Sequence, residues 1–478
     1  MHSRYDTYHV CFCYDTFMVE FVNRRSELTA LSEWWERDTR PALIWGRRRV
    51  GKSALIERFG ELTGARVLSH TGAGRPGAGE LQMLSRRAAA ITRTGIRAPA
   101  TVPYRDWDEA LEHIASQAED EPLLLVLDEF PELASTAPDL PGVLRAFLDR
   151  LPSSSKLKII ICGSAVRSME ALREYRAPLY GRFDLTLHMH PFRPHEAAEM
   201  LPDLAPADRA LVYGILGGIP LYLSWWNQDQ SIRQNLLRLA CQPGSRLQSE
   251  GRLILATEAD HGDLPGAALN AIATGATRFS EISDALGANP TRTLERLTEL
   301  RLVERITPVT EDERRSKNRI YRIADDFLAF YLGPLSRYQP EIERGLGDTI
   351  VDALLDHLDD YMGRAYEDAF RQHLRRLARE GDLGPKIVAI GPWWTRDGNN
   401  QIDAVVIAEH NKQRVPVLAG ECKWGKRVDA SRIKATLIRK AASLTPESED
   451  LRYFVCARDE IVNADSDTLT ATAADIFG

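Results

Sequence analysis

A chain of 478 residues with 44% apolar and 27% charged side chains is ordinary globular material, too long for a single core, so roughly two to four domains are expected. Its net charge of −7 excludes a uniformly basic nucleic-acid binder but leaves room for a local basic face. Six scattered cysteines form no CxxC pair, which excludes a zinc site or disulfide framework of the usual kind and points to a reducing cytoplasm. No run of about 18 apolar residues is present to span a membrane.

Residues 1–17, with Cys11-Phe12-Cys13, lack the basic start and continuous apolar centre of a secretory leader. They read as an atypical extension, and Met18 is an alternative start. The first strong signal follows the apolar run Pro41–Trp45. Gly46-Arg47-Arg48-Arg49-Val50-Gly51-Lys52-Ser53 then leads through Ala54 into a helical segment ending near Phe59. Strand, Gly-rich turn and helix in that order form a phosphate-binding loop. Its backbone amides and the helix N-terminus would surround phosphate oxygens, Lys52 would reach the outer phosphates, and Ser53 would ligate Mg²⁺.

The next buried-strand signal, Leu123–Leu127, ends in Asp128-Glu129. Asp128 is expected to hold Mg²⁺ through water and Glu129 to polarise the attacking water. A third apolar run, Leu157–Cys162, delivers Gly163-Ser164 to the same sheet edge, where the Ser164 hydroxyl would sense the terminal phosphate or serve only in a turn. Arg182, in Leu179-Tyr180-Gly181-Arg182, could reach a neighbouring subunit's nucleotide as an arginine finger, or form a structural ion pair.

These motifs together resemble the archaeal-type ATPases of the AAA+ and signal-transduction ATPase group. Phe21-Val22-Asn23-Arg24-Arg25-Ser26-Glu27-Leu28 matches the opening Phe-x-x-Arg-x-x-Glu-Leu pattern, with Asn23 where Gly is usual. Gly217-Gly218-Ile219-Pro220-Leu221-Tyr222 resembles the lid element that touches nucleotide in that family, which implies a role for Pro220. The resemblance implies a P-loop parallel sheet over 18–190 with a helical lid over 191–258, ATP and Mg²⁺ as cofactors, and a possible homo-oligomer.

From Leu264 the pattern changes. Phe279, Ile282 and Leu286 lie at helical spacing, Gly287–Pro290 breaks the chain, and a second helix carries Leu294, Leu297 and Leu300 inward with Arg292, Glu295, Arg296 and Glu299 outward. Strand-like runs 302–309 and 319–323 flank a charged tip. This outlines a winged helix-turn-helix over 259–330. Thr291, Arg292 and Arg296 could face DNA, with Arg314, Arg315 and Lys317 on phosphates; a spacer or protein dock is the alternative.

A helical linker over 331–348 precedes the last unit, 349–478. There a helix over Leu354–Ala378 carries Glu367 beside its apolar stripe. The run Gln401–Ile407 places Asp403 at the head of a strand. Period two sends Val417, Ala419, Glu421 and Lys423 of the next strand to one face. Charges on an apolar strand must pair or bind metal. Asp403 and Glu421 could form a two-carboxylate Mg²⁺ site with Lys423 stabilising charge, or a structural ion pair. The pattern resembles the PD-(D/E)xK restriction-endonuclease-like superfamily, which implies that Glu367 is its helix acid. The helix after it, with Arg432, Lys434, Arg439 and Lys440, is expected along a phosphate backbone.

The expectation is an α/β protein: a P-loop ATPase coupled to a DNA-acting, Mg²⁺-dependent nuclease-like domain. The rival is a nucleotide-dependent switch that binds DNA or protein without cutting. No aromatic-basic strand-tracking element is visible in sequence, so a helicase-like translocase ranks last.

Overall fold

The computed structural model describes residues 21–37, 40–92, 102–258, 263–445 and 451–478. The extension 1–17, with Cys11 and Cys13, and the alternative start Met18 lie outside the described residues.

Five parallel strands form the first sheet: β1 (Ala42–Trp45), β2 (Arg66–Thr71), β3 (Leu123–Asp128), β4 (Leu157–Gly163) and β5 (Leu185–His188), in the order β2-β3-β4-β1-β5. The strands are apolar on both faces because helices cover both. Leu43, Leu125 and Ile161 pack into one apolar cluster, while their neighbours Ile44, Val126 and Cys162 pack into another. This order sets β4 between β3 and β1. The segments leaving the carboxyl ends of all three therefore meet at one edge, where ligands bind in open parallel sheets.

A helical lid follows, including Pro206–Leu216, Pro220–Leu223 and Arg246–Glu258. It meets the core where no side chain fits. A Cβ on Gly218 would lie 1.9 Å from the Phe192 carbonyl oxygen, and the Phe192 amide donates to the Gly218 carbonyl at 2.7 Å. The next unit has helices Asp263–Ala273, Phe279–Leu286 and Thr291–Glu299, then an antiparallel wing of β6 (Val303–Ile306) and β7 (Ile320–Ile323). Gly287, at φ 61°, ends the second of these helices. Ile282, Leu294 and Leu297 are buried as their spacing requires.

The segment read as a helical linker is helical, and Tyr331–Leu335 is fully packed: a Cβ on Gly251 would sit 2.4 Å from the Tyr331 ring. The helix expected over 354–378 is instead two helices, Gly347–Asp356 and Leu358–Glu380, meeting at His357. The last sheet holds β8 (Ile387–Trp394), β9 (Gln401–His410), β10 (Gln413–Lys423), β12 (Arg452–Ala457) and β14 (Thr468–Ala471), in the order β14-β12-β10-β9-β8. It is antiparallel from β8 to β10 and parallel beyond. Short strands β11 (Arg427–Asp429) and β13 (Glu460–Val462) pair separately. A register shift between Pro416 and Leu418 breaks the period-two face predicted for β10. Val417 packs against the apolar cluster that holds Phe370 and Leu374, whereas Ala419 belongs to the one that holds Leu437 and Ala441.

The fold class read from the sequence holds: a parallel-sheet α/β core with helical lid, a winged helix and a C-terminal α/β sheet domain. The units share packing. One apolar cluster runs from Phe59 through Leu216 and Leu297 to Phe370 and Phe477. The terminal helix Ala473–Phe477 returns to the lid, where Phe477 meets Tyr213 edge-on and Arg209 donates to the Phe477 carbonyl at 2.8 Å. No helix among the described residues is long and apolar enough to cross a membrane.

Candidate nucleotide site and a second charged cluster

The loop after β1 has the backbone of an anion cradle. Arg49 (φ 70°) and Gly51 (φ 92°) are left-handed, and a Cβ on Gly51 would meet nothing within 4 Å, so the loop's mouth is open. Gly46 is required by close packing, since a Cβ there would lie 2.2 Å from the Met189 carbonyl oxygen. Val50 is buried beneath the loop. Arg48, Ser53 and Ala54 are exposed at its mouth, and Lys52 opens the helix Lys52–Thr63. The Lys52 ammonium turns back onto the Gly46 and Arg47 carbonyls at 2.8 and 3.0 Å. Burial and Arg48 push its pKa down, against the pull of Glu129, Cys162 and Asp128. A buried amine among carbonyl oxygens, with its loop open to solvent, is suited to receive a polyphosphate. Arg24 of the opening signature fixes this loop from below, donating to the Val50 and His190 carbonyls at 2.9 and 2.8 Å and lying over Phe192.

Asp128 and Glu129 stand at the same edge. The Asp128 carboxylate accepts from the Glu129 amide at 3.0 Å and from the Cys162 thiol at 2.9 Å. Burial, with Asp128 beside it, holds that thiol protonated as a donor. Glu129 adopts φ 47°, and its Oε2 accepts from both the amide and the hydroxyl of Ser164, each at 3.0 Å. Ser164 therefore orients the carboxylate rather than standing free. Arg182 forms a two-pronged ion pair with Asp149, at 2.8 and 3.4 Å.

Two loop arginines leave the cradle for other units. Arg49 pairs with Glu250 of the lid at 2.6 Å, and Glu250 accepts from the Tyr222 hydroxyl at 2.8 Å. This places the helix opened by Pro220 within two contacts of the loop. Arg47 pairs with buried Asp325, just beyond the wing, at 3.0 Å. On the sheet's other flank, Arg167 and Glu170, in the short helix after Ser164, pair with Glu299 and Arg301 of the winged helix.

In the last domain the four predicted charges do gather. The Lys423 ammonium lies 2.8 Å from Glu421 and 3.8 Å from Asp403. The Asp403 carboxylate accepts from the Cys422 amide at 2.9 Å. Burial, then the Asp403 and Asp368 charges, push the Glu367 carboxyl up to about 7 despite Arg371 and Lys423 nearby. Burial and Glu421 raise Asp403. Lys440, expected along a phosphate backbone, instead binds both Glu421 oxygens at 3.0 and 2.9 Å, because its helix packs on the face of β10 that carries Glu421. Lys434 likewise pairs with Asp465, which leaves Arg432 and Arg439 exposed. Among the described residues no three His, Cys, Asp or Glu side chains stand as a ready-made metal cage.

Residues 21–225 match a family model described as an ATPase domain predominantly from Archaea. Over this segment the chain is similar to archaeal ATPase domains. Residues 331–434 match a second model, described as archaeal and bacterial proteins of unknown function. An uncharacterized protein of Methanocaldococcus jannaschii is 28% identical over 453 residues, 92% of this chain and 95% of its own. A second protein of that archaeon, an uncharacterized ATP-binding protein, is 46% identical over 43 residues, 9% of this chain and 73% of its own. Among solved structures, the Walker-type ATPase paby2304 of Pyrococcus abyssi is similar at a TM-score of 0.49 and 22% identity, covering 65% of this chain and 96% of that one. The Aeropyrum pernix ORC2 protein is similar at a TM-score of 0.43 and 16% identity, covering 70% and 95%.

Sequence reasoning missed Cys162, Glu250 and Asp325, and assigned Lys440 to a phosphate backbone rather than to Glu421. Cys162 ends an apolar strand, so its thiol read as core. The other three act on partners at least 19 residues away, and no local pattern announces them.

Proposed function

We propose that this chain binds ATP with Mg²⁺, hydrolyses it, and uses the nucleotide state to control a C-terminal domain that acts on DNA. The observation that carries the reading is Lys52 and the Asp128–Glu129 pair sharing one sheet edge with Ser164 already holding Glu129. Lys52 would exchange the Gly46 and Arg47 carbonyls for phosphate oxygens. Glu129, kept in place by Ser164, would take the proton of the attacking water. Ser53 and, through water, Asp128 would hold Mg²⁺, which neutralises charge developing on the phosphates. Phosphate would also compete for Arg49 and Arg47, loosening their pairs with lid and winged helix. Arg182 could serve a neighbouring subunit once released from Asp149. Four buried free thiols, Cys162, Cys241, Cys422 and Cys456, agree with work in a reducing cytoplasm. Steady-state ATP turnover of the whole protein is the test: Lys52→Ala should abolish it, and undiminished turnover in that variant ends the proposal.

For the C-terminal domain, Asp403 and Glu421 fit a Mg²⁺ ion in donor chemistry, with Lys423 beside them and Glu367 next to Asp403. Nicking of DNA with Mg²⁺ or Mn²⁺ that disappears in Glu421→Ala supports cleavage. One observation favours a second reading: Lys440 and Lys423 already occupy Glu421. On that reading the domain is a non-cutting switch element, and absence of Mn²⁺ binding by calorimetry would support it.

A further inference from the structure

The end of β8 and the turn after it dock on the winged helix. The Val309 amide donates to the Pro392 carbonyl, and Trp394 Nε1 to Asn318 Oδ1, both at 2.9 Å. The Arg278 guanidinium lies so close to Gly398 that a Cβ there would be 3.1 Å from it. Docking closes a groove of about 1100 Å³ between the helix Thr291–Glu299, the wing and this turn. Arg278, Lys317, Arg319 and Arg396 line it together with Glu295 and Glu299, and among the described residues none of the four cations has a carboxylate within ion-pair distance. Phe279 lines it too, 40% exposed. Arg305, also in this groove, continues into the cleft between wing, lid and C-terminal domain.

We propose that this groove binds a single strand of nucleic acid, holding its phosphates with Arg278, Lys317, Arg319 and Arg396 and stacking a base on Phe279. Four cations drawn from two domains, with no carboxylate partner among the described residues, suit a flexible polyanion. The exposed ring decides for a single strand: a duplex hides its base faces, whereas an unpaired base can stack. The neighbouring helix is poorly placed to enter a duplex groove, since Glu299 is already paired with Arg167 of the ATPase core. The inference rests on the reading that the protein acts on nucleic acid, and it replaces duplex reading by a strand path.

The test is fluorescence anisotropy of the full protein with a labelled oligothymidylate and with a duplex of equal length. The single strand should bind more tightly, with log K falling against log salt at a slope near −3, about 0.7 for each of four phosphate contacts. The double variant Arg319→Gln/Arg396→Gln should bind about ten-fold or more weakly and lose about 1.4 from that slope. Phe279→Ala should weaken binding about ten-fold with the slope unchanged. ATP turnover without DNA, together with circular dichroism, reports that each variant is folded. Duplex preferred over single strand, or binding blocked equally well by polyglutamate, overturns the proposal. So does binding that ignores all three substitutions; in that case the DNA-acting reading survives. Absence of any nucleic-acid binding in a protein that hydrolyses ATP sinks the groove and the DNA-acting reading together, and leaves the ATPase.

Discussion

The candidate nucleotide site and the C-terminal charged cluster are built from similar parts: acids at strand ends with a lysine beside them. They differ in what holds the charges. Lys52 rests on backbone carbonyls, and Glu129 is held by a neutral serine, so neither charge is spent on the other. In the second cluster Glu421 is bound by two lysines, and Lys423 is held by Asp403 and Glu421. A cation held by dipoles is ready for an anion. A carboxylate held by ammonium groups must lose one before it can take a metal.

The largest expected effect breaks the first site. Glu129→Gln should lower ATP turnover by about 10²-fold or more while leaving nucleotide affinity nearly unchanged, because it removes the proton acceptor but not the cradle. Fluorescent nucleotide titration beside the turnover assay checks both halves. If affinity falls as far as turnover, Glu129 is a structural residue.

Next is Lys440→Met, which leaves Glu421 with one ammonium partner. Breaking a buried pair from one side costs about 3 kcal/mol, so urea unfolding should show a clear loss of stability. The same variant should bind Mn²⁺ more tightly than the native protein. Stability lost without any gain in metal binding assigns the cluster to structure alone.

Removing the charge of Arg49 and of Glu250, singly and together, should give a coupling energy of about 1 kcal/mol in unfolding without nucleotide. That coupling should shrink when ATP analogue is bound. A coupling indifferent to nucleotide would deny the loop its link to the lid.

The smallest effect concerns pH. Burial and Asp403 raise the folded Glu367 pKa to about 7, from 4.5 in the unfolded chain. Its proton stabilises the fold fully below about 4.5, and the benefit is lost as pH rises through 7. Metal competes with that proton, so Mn²⁺ binding at this cluster should strengthen between pH 6 and 8 and level off above. Glu367→Gln should flatten the profile.

Much of this was legible in the chain. The strand Ala42–Trp45, the loop that follows it and the acids after Leu127 were readable because a buried parallel strand is a short apolar run and its ligand groups come next in sequence. The wing and its helices were readable from the spacing of Ile282, Leu294 and Leu297. The β10 face was misread because a bulge near Pro416 leaves no periodic signature, and the break at His357 falls inside an apolar stripe that continues across it. No aromatic-basic element showed in sequence because Phe279, Lys317, Arg319 and Arg396 come from three separate segments. The sequence by itself determined the strands of the first sheet, the glycine-rich loop after β1 and which residue types stand at the strand ends, since these depend on neighbours a few positions away. Only the tertiary structure decided that Lys440 covers Glu421, that Arg47 and Arg49 tie the loop to distant units, and that four cations meet in one groove. Those pairings depend on how helices and turns dock over long separations, and local side-chain pattern carries no term for that.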